Sequence, residues 1–399
     1  MIRNGARMEA RPDSTTTRDA QVRPLRLAIL GTRGIPANYG GFETFAEQLA
    51  TRLAARGHDV TVYGRAGNVD PALDGTTWRG VRLVVLPAPR SKHLETVLHT
   101  WRSAWHARTQ RYDFALVCNS ANFLSLPVLR AAGIRTALAI DGIESERRKW
   151  GVLGRNVYRI AGVLGPRWTD VVIADCAVIE RWLRARGVAN VTMIAYGATA
   201  PQVATGEALA RLGVASDGYV LYVSRLEPEN NADVVIRGFV EADVPCPLVV
   251  VGDAPYADAY KARLREIAAG SDRVLFAGAI YGRGYDELRA HAACYVQATD
   301  VGGTHPALLE AMAAARPIIA NDIPEHREVL GDAGWYYAKN DPQDLARRLR
   351  EVMTAPGAAQ ARAERAAAAR RRVAEHYDWE QVTSAYERLA RDLVDLCLQ

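Results

Sequence analysis

The chain has 399 residues, roughly two to three times an ordinary domain, so a single small module is excluded and two domains are expected. With 49% apolar and 24% charged residues it is neither a disordered nor a fibrous chain. The net charge of +5 conceals an asymmetry: residues 1–200 carry 28 Lys and Arg against 16 Asp and Glu, a net of +12, and residues 201–399 carry 22 against 29, a net of −7. A basic first half points to an anionic partner.

Residues 1–23 are polar and without period and read as a disordered leader. They lack the apolar core of a signal peptide, and no run approaches the roughly 20 apolar residues of a membrane span. Five scattered cysteines without a C-x-x-C pair fit a reducing, cytoplasmic setting. From Leu25 onward, apolar runs of strand length alternate with helix-period stretches: LRLAIL (25–30), DVTVY (59–63), VRLVVL (81–86), DFALVC (113–118), RTALAI (135–140), VVIA (171–174) and VTMIAY (191–196). Such runs, buried on both faces and separated by helices, predict a parallel α/β domain over 24–198. A second series, YVLYVS (219–224), PLVVV (247–251), RVLFA (273–277), CYVQA (294–298) and PIIA (317–320), predicts another over 199–377. Residues 378–399 form a closing helix capped by Asp378, expected to pack back on the first domain. The fold class is therefore α/β, two Rossmann-like domains facing each other across a crevice, with function sought in the loops after strands.

The first such loop, GTRGIPANYGG (31–41), is glycine-rich and runs into a helix whose free N–H groups suit an anion. Arg33, Asn38 and Gly41 are its candidates for contact with a ligand. Its spacing is not G-x-G-x-x-G, which disfavours a dinucleotide. In DVGGTHPALLEAM (300–312) a Gly-Gly turn with Gly303 precedes Thr304, a candidate cap, and Pro306, tolerated in a first helical turn. Glu310 then lies about 9 Å along the helix at about 1.5 Å per residue, near the separation of a pyrophosphate from its ribose. Arg225 closes the strand YVLYVS and offers a bidentate guanidinium to the same diphosphate, with Asn230 in the loop behind it. Asp141 ends RTALAI before Gly142, a position that faces the crevice; it is either the carboxylate at the reacting centre or the cap of an Asx turn.

This set resembles the retaining GT-B glycosyltransferases, in which a strand-end Arg and a Glu in a PxLLEAMA helix hold the sugar nucleotide; here those are Arg225 and Glu310. The stretches LAILGTRGIPANYGGFETFAEQLATRLAARGHDVTVYGR, IDGIESERRKW, MIAYG and RLEPENN look like the branch typified by bacterial β-1,4-rhamnosyltransferases. The resemblance covers about 24–399. It implies transfer of rhamnose or another hexose from a nucleoside-diphosphate sugar to a saccharide acceptor, without cofactor or metal, in polysaccharide or glycolipid assembly. Three positions depart from the superfamily: Asn230 where many members place Lys, Gly302 where many place Glu, and Asp141 where a His is common. Asp300 is a candidate to replace the missing Glu. Two other readings remain: a nucleotide-sugar epimerase on the same scaffold, and a non-catalytic nucleotide-sugar-binding module.

The segment 147–168, RRKWGVLGRNVYRIAGVLGPRW, sets six basic residues beside aromatic and apolar ones without an acid. It is either a solvated basic helix face or a contact with an anionic membrane surface. The second predicts an acceptor linked to a polyprenyl diphosphate at the inner face of the membrane. Nucleic acid is not expected, since the basic residues are not interleaved with aromatics in a nucleic-acid-binding pattern.

Overall fold

The computed structural model describes residues 23–38, 40–89, 94–144, 151–201, 203–255 and 257–396. Residues 1–22 of the expected leader and 147–150 of the basic segment lie outside the described residues.

The strands are covered on both faces at the centre of each sheet and partly exposed at its edges. In the first half these are β1 (Arg26–Leu30), β2 (Asp59–Arg65), β3 (Thr77–Trp78), β4 (Val81–Leu86), β5 (Phe114–Cys118), β6 (Arg135–Ile140), β7 (Val171–Ala174) and β8 (Val191–Met193). They line up in the order β3-β4-β2-β1-β5-β6-β7-β8, parallel throughout except for the β3–β4 pair. The helices between them are α1 (Gly41–Ala55), α2 (Glu95–Ala107), α3 (Leu126–Ala131), α4 (Val152–Trp168) and α5 (Ala177–Arg184).

The second half begins with α6 (Glu207–Leu212) and builds a six-stranded parallel sheet in the order β11-β10-β9-β12-β13-β14. Its strands are β9 (Val220–Val223), β10 (Leu248–Val251), β11 (Val274–Gly278), β12 (Cys294–Gln297), β13 (Ile318–Asn321) and β14 (Trp335–Tyr337). They are joined by α7 (Ala232–Ala242), α8 (Asp258–Ala268), α9 (Gly282–Ala290), α10 (Pro306–Ala313) and α11 (Pro324–Leu330), and followed by α12 (Pro342–Thr354), α13 (Ala358–His376) and α14 (Trp379–Asp395). The chain thus folds as two Rossmann-like α/β domains with a helical C-terminus.

The short strands β3 and β14 have no counterpart among the apolar runs of the sequence, because two or three residues show no measurable period. The run VTMIAY is strand only to Met193; Ile194, Ala195 and Tyr196 leave the sheet and stay buried. The Tyr196 ring lies 5.1 Å from that of Phe45 on α1, and Phe45 in turn packs 5.5 Å from Tyr386 on α14. Asp378 accepts from the Glu380 and Gln381 amides, starting α14, which then lies along α1.

Strand order places the function. The first sheet reverses direction of growth between β1 and β5, and the second between β9 and β12. Ligands of open α/β sheets sit beyond the carboxyl ends of strands at such switch points. The loops after β1, β9 and β12 meet there.

Candidate functional site

A crevice of about 430 Å³ opens between the domains. Its walls include Gly41 and Asp141 from the first domain, and Arg225, Asn230, Gly303, Thr304 and Glu310 from the second.

Two helix N-termini converge on it. At α1 the N-cap is Gly40, which offers no side chain to the first amides, and a Cβ on Gly41 would lie 3.2 Å from Pro306 Cγ. The absence of a side chain at 41 therefore lets the two helix starts approach each other. On the other side, α10 buries Leu308, Leu309, Ala311, Met312 and Ala313, and Glu310 lies on its crevice face. The positive end of each helix dipole points into the crevice, so both attract an anion; at α10 this is chiefly the dipole, since Pro306 has no N–H and the Leu308 and Leu309 amides donate to the His305 carbonyl.

Glu310 accepts a 2.5 Å hydrogen bond from the Tyr285 hydroxyl and lies 3.7 Å from Arg289, both on α9. Burial raises the Glu310 carboxyl above its ordinary value, opposed by Arg289 and by the Tyr285 hydrogen bond. Arg289 and Tyr285 line the crevice as well. The sequence does not single them out, because GRGYDELRA reads as an ordinary amphipathic helix; only packing of α9 against α10 makes them part of the site. Arg289 adds a buried guanidinium to a site where Asn230 replaces a Lys.

Arg225 follows β9, one-third exposed, with Glu227 at 3.7 Å. Asn230 is tied into its own loop: Nδ2 donates to the Arg225 carbonyl at 2.6 Å, and its backbone carbonyl accepts from the Tyr222 hydroxyl. Its contribution is to shape the loop that carries the arginine.

Thr304 does not cap α10. The N-cap is His305, and the Thr304 hydroxyl donates to the Asp175 carbonyl at 2.5 Å while its amide donates to Asp175 Oδ2 at 2.8 Å. Asp175 follows β7 in the first domain, so this pair ties the domains together beneath the crevice. A Cβ on Gly303 would lie 2.0 Å from Asp175 Oδ1, so any side chain there must displace that carboxylate. Burial, and then the nearby Asp141, push the Asp175 carboxyl well above the ordinary range.

Gly302 is constrained in the same way, since a Cβ would stand 2.3 Å from the His305 ring. An acidic side chain has no room at 302 while that ring keeps its place. Asp300 does not replace it: it accepts from Asn340, faces Lys339 at 3.2 Å and is not on the crevice wall.

Arg33 and Asn38 also stand apart from the crevice. Arg33 lies 3.9 Å from Glu95, and Asn38 donates to the Asn68 carbonyl. The glycine-rich loop is held by its own helix, with the Arg33 amide on Glu43 and the Ala37 amide on Glu47. Among the described residues no three His, Cys, Asp or Glu side chains group so as to hold a metal ion.

The sequence matches the family of glycosyl transferases group 1 over residues 217–355 and the glycosyl transferase 4-like domain over 40–197. Among curated relatives, glycogen synthase of Mycobacterium tuberculosis is 27% identical over 90% of this chain and 93% of its own. The phosphatidyl-myo-inositol mannosyltransferase of Mycobacterium leprae is 26% identical over 88% and 92%. Among solved structures, sucrose-phosphate synthase from Thermosynechococcus elongatus superposes with a TM-score of 0.75 at 21% identity, over 93% of this chain and all of its own. The Anabaena HepE protein with UDP-glucose gives 0.74 at 18%, over 92% and all of its own. Two matched domain families in their expected order and a shared two-domain architecture establish that the chain is a group 1 glycosyltransferase of the GT-B type.

Proposed function

We propose that this glycosyltransferase moves a hexosyl unit, such as rhamnose, from a nucleoside-diphosphate sugar to a lipid-linked saccharide with retention of the anomeric configuration. The observation that carries the reading is the convergence of Arg225, the α10 start and Glu310 from one domain with Asp141 and the α1 start from the other. In this reading the diphosphate lies on Arg225 and the two helix starts, and the ribose hydroxyls lie on Glu310. The bond from the anomeric carbon to the diphosphate breaks as the acceptor oxygen bonds the same face of that carbon. The acceptor proton passes to the departing phosphate. Fixed guanidinium and amide groups stabilise the charge that develops on the leaving group. Asp141 orients the acceptor and stabilises the positive charge on the sugar. No metal is required, since the chain has no D-x-D triplet and the positive groups named above face the leaving phosphate.

Support for the donor class comes from the HepE protein, solved with UDP-glucose, and for a lipid acceptor from the relative named as a phosphatidyl-myo-inositol mannosyltransferase. The test is a panel of nucleotide sugars screened by thermal shift, followed by transfer of labelled sugar to extracted lipid, with and without EDTA. One donor class should stabilise the protein and label the lipid equally with or without EDTA, and NMR of the product should show retained configuration. Conversion of the donor without acceptor would assign an epimerase, and binding without any turnover a non-catalytic module.

A further inference from the structure

Among the described residues, fourteen large apolar side chains stand exposed, and nine of them fall on three neighbouring elements of the first domain: α2 with the residue preceding it, the turn 120–125, and α4. Both helices pack on that turn, so they share one face. On α2, Leu98, Trp101 and Trp105 recur at helical spacing, opposite a buried face of His99, Thr100, Ser103, Ala104 and Ala107. On α4, Ile160 and Val163 are each about half exposed, and Leu124 lies between the helices. Isolated exposed apolar residues are ordinary, but a contiguous set of this size marks an interaction surface.

The charges on the same elements are nearly all of one sign. Arg102 and Arg108 on or beside α2, and Arg155, Arg159 and Arg167 on α4, face solvent. The single carboxylate on α2, α4 and the turn is Glu95, and it is paired with Arg65 at 3.1 Å. Arg108 lies over the Trp105 ring at 4.0 Å, and the Trp101 and Trp105 rings meet edge-on at 5.5 Å. Tryptophan and arginine with aliphatic side chains on one exposed face is the composition that enters the headgroup region of an anionic bilayer. A symmetric dimer through this face would bring arginine against arginine with no free acid to answer it.

We infer that the α2–α4 face docks the enzyme on an anionic lipid surface. Helices of a parallel α/β domain start at the carboxyl ends of the strands, so the α2 and α4 starts, with exposed Leu94 and Val152, lie at the crevice end of the domain. Docking there sets the first-domain side of the crevice, with Asp141, towards the bilayer. The inference deepens the lipid-acceptor reading but is measured without turnover, so the two fail separately.

The test is cosedimentation of the full chain with phosphatidylcholine vesicles, with or without phosphatidylglycerol. Binding should require the anionic lipid and weaken at high salt. It should fall about tenfold in Trp101→Ser/Trp105→Ser and in Ile160→Ser/Val163→Ser. These side chains are exposed, so both variants should keep the wild-type melting temperature and donor-induced thermal shift. Absence of binding to anionic vesicles, or equal binding by wild type and folded variants, would overturn the inference. A dimer that dissociates in the variants, without vesicle binding, would assign the face to a second copy of the chain.

Discussion

Glu310 and Asp141 sit on opposite walls of one crevice and are expected to separate binding from chemistry when each loses its charge. Glu310→Gln keeps the side-chain shape facing Tyr285 and Arg289, so the fold should hold. The neutral amide makes a weaker contact with ribose hydroxyls, and nucleotide affinity should drop by about 1.5–3 kcal/mol, roughly ten- to a hundredfold. Arg225→Ala should cost at least as much. Titration calorimetry with the nucleoside diphosphate of the identified donor measures both; unchanged affinity in Glu310→Gln would remove the ribose from α10. Asp141→Asn should bind that nucleotide like wild type while turnover falls about tenfold or more, read from initial rates at saturating donor. Arg225, Gly303, Thr304 and Asp141 stand out in the sequence because each follows a strand end or precedes a helix, and Glu310 because it lies a ribose's distance along the helix that follows. Arg33 and Asn38 looked equally suited. What removed them was local bonding to Glu95 and Asn68, partners about sixty and thirty residues away that no loop motif announces.

The contacts that join elements across the domain boundary are carboxylate clamps. Asp175 of the first domain holds the Thr304 amide before α10, and Glu328 on α11 of the second accepts from the Ala177 and Val178 amides that open α5. Each domain thus satisfies amides of the other, the first clamp at the 303–304 turn that lines the crevice. Gly303 sits against the first clamp without space for a methyl group. Gly303→Ala should force the 303–304 turn off Asp175, lowering stability by about 1–3 kcal/mol through the orphaned amide and lowering donor affinity with it. Urea unfolding and donor titration on the same variant check this; a variant as stable as wild type would show that the turn relaxes freely. Helix periods and start signals locate α1, α10 and α14, but not which amides of one domain face which carboxylates of the other.

The two domains are also bound through α14, which returns from the second to lie on the first. Arg56, at the C-terminal end of α1, reaches Glu380 at 2.7 Å and Glu387 at 3.0 Å, and His58 and Arg391 meet Glu387 as well. Burial would raise the Glu387 carboxyl, but Arg56, Arg391 and His58 outweigh it and hold it down at about 2, from an ordinary 4.5. A lowered carboxylate stabilises the fold fully above its unfolded value; that contribution is lost as pH falls from about 4.5 through about 2. Glu387→Gln should therefore lower the unfolding free energy at pH 7, read from urea titration, by about 1 kcal/mol after screening, and flatten its decline below pH 4.5. Equal acid sensitivity in wild type and variant would place the acid-labile contact elsewhere. The same arrangement leaves the α2–α4 face uncovered, since α14 lies on the α1 side of the sheet.

Strand-length apolar runs, their alternation with helical periods and the loops at their ends were sufficient for the doubly repeated α/β architecture and for several residues of the crevice wall. They are local properties, set by a residue's own neighbours along the chain. The places of Arg289, Tyr285, Asp175 and Glu328 came from contacts between segments tens to more than a hundred residues apart, which no periodicity encodes. The exposed apolar stripe of α2 belongs to the same class. In sequence its Leu and Trp residues are indistinguishable from a core face, and only the packing of the opposite face, with His99, Thr100 and Ser103 inside, turned them outward.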